Sequence, residues 1–136
     1  LLCGGLLFGV RVLEAPGAVV LVTTAAGAAA ASVYLVLALL VRTEKAMDVL
    51  TTVFTLVSGM IGGNFFPVDL MPPVFHYLGR ATFNYWANRA LSDLITHGRG
   101  LLAVIPELVA LASIATVGIL IAVLVFGLRQ RQGVAA

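Results

Sequence analysis

GGNFFPVDLMPP (residues 62–73) breaks an apolar chain with two glycines, an asparagine, two phenylalanines and three prolines. Pro67 fixes its own φ and disfavours a helical Phe66, so a helix arriving from upstream is expected to end at residue 66. Phe65 and Phe66 then stand where that helix would leave hydrocarbon. Pro72 and Pro73 lose no hydrogen bond in a first turn, so PPVFHYLGR should open a short new helix. The stretch reads as the end of one helix, a turn, and the start of another.

The surrounding composition fixes the solvent. Hydrophobic residues make up 61% of the 136 and charged residues 10%, where soluble domains carry about 25% charged. Mean hydropathy is +1.10. The eight basic residues are scattered, and with a formal net charge of only +2 they form no basic face for nucleic acid. Cys3 is the single cysteine, which rules out an internal disulfide and a cysteine-based metal site. The chain opens LLCGGLLFGV, too short to cross a bilayer and without a basic leader. Residues 1–10 are therefore expected to be the tail of a preceding span in a larger protein.

Three stretches are apolar enough for spans. Residues 17–41 carry no charge, and at ~1.5 Å per residue they exceed a core of ~30 Å. Residues 25–32 within them are all Ala, Gly and Ser; they suit close contact with another helix, although an alanine run also simply favours helix. RTEKAMD (42–48) follows as a short aqueous turn or interfacial helix. A second span is expected over residues 49–66, with Thr51, Thr52, Thr55 and Ser58 along one side. Those hydroxyls either bond their own helix carbonyls or touch a substrate. Gly59 and Gly63 form G-x-x-x-G, with Ser58 and Gly62 a second small pair beside it, which predicts helix packing through Gly59, Gly62 and Gly63.

Residues 67–100 are too polar to span. Asn84 looks like an N-cap. Beyond it Trp86, Ala87, Ala90, Leu91 and Leu94 recur at helical spacing, opposite Asn88, Arg89, Ser92, Asp93 and Thr96, with Arg89 and Asp93 an i,i+4 pair facing water. The aromatic density of Phe75, Tyr77, Phe83, Tyr85 and Trp86 places this segment at a membrane interface or dipping into it. Residues 106–128 form the last span, with Pro106 in its first turn and Glu107 at the positive end of its dipole. Arg129 and Arg131 begin a tail over 129–136. These two and the crowded Arg42 and Lys45 favour a cytoplasmic side for the 42–48 loop and the tail. The fold class is an all-α membrane protein: polytopic helices with a short extracytoplasmic re-entrant or interfacial helix pair before the last span.

A small-residue span, a V-R-T-E loop, a span ending GGNFFP, the pair Pro72-Pro73, then TFNYWA with LSDLITHG and a last span with a basic tail resemble, over residues 18–131, the permease of type-2 ATP-binding-cassette exporters. Phe83 departs from a proline frequent there. The resemblance implies a C-terminal half of about six spans in the plasma membrane of a prokaryote, working as a dimer with a second permease copy or homologue. It implies an ATP-binding-cassette ATPase as partner, which uses the ATP; no cofactor is expected on this chain. It also implies that Phe65, Phe66, Pro67, Pro72, Pro73, Asn84 and Trp86 belong to the helices beside the exit of the pathway. A short charged loop tied rigidly to two spans suits coupling, so Arg42, Thr43, Glu44 and Lys45 are the expected contact with the ATPase.

The residues suggest no chemistry of the chain's own: no phosphate-binding loop, zinc motif or nucleophile elbow occurs. His76 and His97 lack a second ligand at helical spacing and read as surface polar groups. An ion-coupled transporter or channel is the alternative; it would need buried ionisable groups, and within the spans only Glu107 is available. An intramembrane enzyme would need a nucleophile and base at one depth, which Ser58 and His97 do not suggest.

Overall fold

The computed structural model describes residues 16–41, 43–65, 70 and 72–134. The expected end of a preceding span at 1–10 lies outside the described residues, as do Arg42, Phe66, Pro67 and Asp69. The described elements are α1 (Pro16–Leu40), α2 (Glu44–Ile61), α3 (Pro73–Gly79), α4 (Phe83–Ile95), a 3₁₀ turn (Leu101–Val104) and α5 (Ile105–Val134). The chain is an all-α membrane protein. Among the described residues, two stretches are long and apolar enough to cross a bilayer, Pro16–Leu40 and Leu101–Leu128. In α1 the Thr23 hydroxyl donates to the Val19 carbonyl at 2.7 Å and that of Thr24 to Val20 at 2.8 Å, so neither presents an unpaired group to an apolar surround.

α2 differs from expectation at both ends. Thr43 is its N-cap, with Oγ1 accepting from the Ala46 N–H at 3.4 Å. Glu44 sits in the first turn, favoured there by the helix dipole. RTEKAMD is thus mostly helix, not loop. At the other end α2 stops at Ile61, five residues before the expected position. Gly62 is the C-cap, Gly63 has φ 87°, and the Asn64 N–H closes onto the Gly59 carbonyl at 3.0 Å. That is a Schellman ending, in which a glycine supplies the left-handed residue. Glycine, and not Pro67, terminates the helix. With Glu44, Lys45 and Asp48 near its start, α2 has a shorter apolar length than α1 or α5.

α3 opens as expected, with Pro73 in its first turn. α4 does not start on Asn84. Thr82 is the N-cap, accepting from the Tyr85 N–H at 3.4 Å and donating to the Gly79 carbonyl at 2.8 Å. Phe83 therefore occupies the first helical position, where a proline would fit without cost. The departure from the resembling permeases leaves the local helix intact.

α1 and α5 pack side by side and run the same way. Val19 and Val22 of α1 share a core cluster with Val104 just ahead of α5, and further along both helices Ser32 meets Gly118. α4 runs back against α1. Its Ala90 and Leu94 belong to that core cluster, while the Phe83 ring lies 6.5 Å from Tyr34. Val22 and Tyr34 are separated by roughly 18 Å along a helix at about 1.5 Å per residue, so α4 lies along α1 as a re-entrant helix does.

Candidate functional site at the joint of α2, α4 and α5

Helix α4 is fastened on two sides. Toward α2, the crossing depends on Gly62. A β-carbon there would collide with Asn84 Cβ and stand 2.6 Å from the Ser58 carbonyl and 3.0 Å from the Tyr85 nitrogen. Two asparagines one turn apart exploit this approach. Asn84 Nδ2 donates to Ser58 Oγ at 3.2 Å, and Asn88 Nδ2 donates to the Gly62 carbonyl at 3.0 Å and to Asn64 Oδ1 at 2.6 Å. Side-chain amides thus take up polar groups exposed where α2 ends, which an apolar setting would otherwise leave unpaired at a cost.

Toward α5, Arg89 Nε lies 3.1 Å from Glu107 Oε1. Glu107 is buried, and it falls within the apolar stretch Leu101–Leu128. Its Oε2 has no hydrogen-bond partner among the described residues. Arg89 Nη1 also donates to the Tyr85 hydroxyl at 3.3 Å, and that oxygen lies 3.1 Å from Nδ1 of His76 on α3. The Tyr85 hydrogen bond, aided by the charges of Glu107 and Asp93 and opposed by burial, raises the Arg89 pKa, so the guanidinium stays charged. Tyr85 itself is fully buried and meets Trp86 edge-on at 5.4 Å.

The expected Arg89–Asp93 pair on a water-facing side is absent among the described contacts. Arg89 reaches to α5, while Asp93 is buried and pairs with Nδ1 of His97 at 3.2 Å and with Arg99 at 3.3 Å. The polar face of α4 turns inward because its neighbours offer matching groups, which helical spacing alone does not reveal.

A scan against protein-family models matches residues 1–96 to the ABC-2 type transporter. The chain belongs to this family. No curated protein and no solved structure matches it. The ABC-2 match takes in α1 to α4 and ends before α5, so Arg89 lies inside the matched residues and Glu107 beyond them.

The residues singled out in the sequence lie in separate places of the fold. Gly62 and Asn84 meet at the joint. Trp86 lies on the same helix and donates its indole N–H to the Arg80 carbonyl at 2.9 Å. Gly59 is buried beside the Asn64 side chain, and Gly63 is a turn residue beyond the helix. The G-x-x-x-G pair therefore marks a helix ending, and of the three glycines Gly62 makes the crossing. Phe65, Pro72 and Pro73 are exposed. Thr43, Glu44 and Lys45 are exposed at the far end of α2, where Thr43 and Lys45 border an apolar recess with Val49 and Val53.

Features that helical spacing did not reveal include the Arg89–Glu107 pair, the amides of Asn88, and the Ser32–Gly118 contact. A carboxylate in an apolar span was a signal for the first. Gly118 and Ala122, a small-x-x-x-small pair in phase with Leu111, was one for the last.

Proposed function

We propose that this ABC transporter permease component works in an ATP-driven exporter, forming the translocation path as a dimer with a second permease copy or homologue and driven by a separate or fused ATPase. The ABC-2 family match over residues 1–96 carries this reading. In it, the ATPase acts on the segment 42–45, with Thr43, Glu44 and Lys45 at the start of α2. A force there travels along α2 to its glycine ending and into α4, because the two helices are pinned by Gly62, Asn84 and Asn88. Helices α3 and α4 then lie on the extracytoplasmic side, beside the exit, in the plasma membrane of a prokaryotic cell.

The test is Glu44→Ala combined with Lys45→Ala in the complete transporter, measuring ATP hydrolysis and export together. The expected result is hydrolysis that persists while export per ATP falls severalfold. Unchanged coupling would remove segment 42–45 from the ATPase contact, and export that proceeds without any ATPase would sink the exporter reading itself.

A further inference from the structure

An ionisable residue inside an apolar span is costly and calls for a functional account with its partner named. Glu107 meets that description. It is only 4% exposed, it uses one oxygen on Arg89, and its second oxygen is buried without a partner among the described residues. A pair kept only for stability would be expected to satisfy both oxygens, since a buried ion pair repays its desolvation only when the remaining lone pairs are hydrogen-bonded. The guanidinium is capable of doing so, because its planar fork matches a carboxylate at two points. Here the fork is divided instead, with Nε on Glu107 and Nη1 on the Tyr85 hydroxyl.

We propose that Glu107, Arg89, Tyr85 and His76 form a two-position latch that sets the place of α3 and α4 relative to α5. In the position observed, Arg89 is shared between Glu107 on α5 and Tyr85 one turn back on its own helix, and the Tyr85 hydroxyl in turn bonds His76 on α3, so one chain of contacts runs from α5 through α4 to α3. In the other position Arg89 turns wholly onto Glu107, the vacant Oε2 accepts the second N–H, and the Tyr85 hydroxyl loses the charged donor that strengthens its bond to His76. The two arrangements conserve the number of bonds Arg89 makes. The side chain of Arg89 is 45% exposed, so it has room to turn, whereas that of Glu107 is 5% exposed and stays fixed. Arg89, Tyr85 and Glu107 act as positioning residues. The inference rests on the permease reading in requiring that these helices move during transport.

The test uses the complete permease, freed of native cysteines, in lipid vesicles, with spin labels introduced by Leu78→Cys on α3 and Val109→Cys on α5, both exposed sites. The distance distribution is measured without nucleotide and again with the ATPase and ATP. The unsubstituted relay should give a narrow distance that shifts with ATP. Tyr85→Phe, which keeps the ring and the ion pair, and Glu107→Gln, which keeps the shape, should each broaden the nucleotide-free distance and lose the shift, in protein whose thermal unfolding shows it folded. Distances identical to the unsubstituted relay in both variants would overturn the latch, as would broadening by Glu107→Gln alone, since the ion pair would then fasten α4 without reaching α3. If the unsubstituted protein ignores ATP, the ATP-driven reading fails, and the nucleotide-free widths still decide on the latch.

Discussion

The α1–α5 seam and the α2–α4 joint both bring helices close, by opposite means. Along the seam the contact depends on small side chains that need no partner across it. Ala29 is fully buried, Ser32 turns its hydroxyl back to the Ala29 carbonyl at 2.8 Å, and Gly118 admits the Ser32 side chain. At the joint the contacts are hydrogen bonds between side-chain amides and polar groups at the capped end of a helix. The difference follows from what each helix offers. Mid-helix backbone is already paired, so only shape is left to match, and in lipid shape depends on small residues. A helix end carries unpaired carbonyls, so a neighbour with side-chain donors gains by docking there.

Substitutions can break this contrast. Gly118→Leu should have the largest effect, because a β-carbon alone would stand 2.6 Å from Ser32 Oγ and 2.8 Å from its Cβ. Overpacking of this kind costs about 1–3 kcal/mol or more. The expected outcome is loss of folded protein in detergent; a variant that unfolds at the wild-type temperature would show the seam to be loose.

Gly62→Ala comes next, at about 1–3 kcal/mol for one added methyl against backbone. It sharpens the comparison when set beside Gly59→Ala, whose new carbon meets mainly the movable Asn64 amide, at 3.1 Å. Thermal unfolding should fall clearly for the first and by less than about 0.5 kcal/mol for the second, helped by alanine's better helix propensity. Equal losses would mean that G-x-x-x-G is a packing motif after all.

Asn88→Ala removes donors from the Gly62 carbonyl and from Asn64, at roughly 1 kcal/mol for one partly buried and one exposed bond. Asn88→Leu should not rescue it, since the joint needs donors where the seam needs shape. Recovery of stability by leucine would erase the distinction between the two regions.

The smallest stability effect belongs to Glu44→Ala with Lys45→Ala. Both side chains are exposed, and exposed charges contribute little. Their unfolding temperature should stay within a degree or two of wild type for a change below about 0.5 kcal/mol, which makes the pair a clean probe of coupling to an ATPase. A large destabilisation would show instead that the helix start is part of the fold.

The amino-acid sequence by itself determined the solvent, the helical class and the ABC-2 family: long uncharged runs must have their backbone groups paired internally, and only helices do that within a single run. It also located the short helix at Pro72-Pro73, because proline acts on its own residue and its neighbour. What it misplaced was decided between elements. A glycine can serve a crossing, a turn or a helix ending, and only the path of the chain after Ile61 assigned Gly62 to the first and Gly63 to the last. Helical spacing put Arg89 and Asp93 on one face, but which charges they pair with depended on α5 and the segment after α4 arriving beside them. Glu107 was visible as a carboxylate at a helix start; that it is buried against Arg89, with one oxygen unpaired among the described residues, is a fact of packing, which no local rule contains.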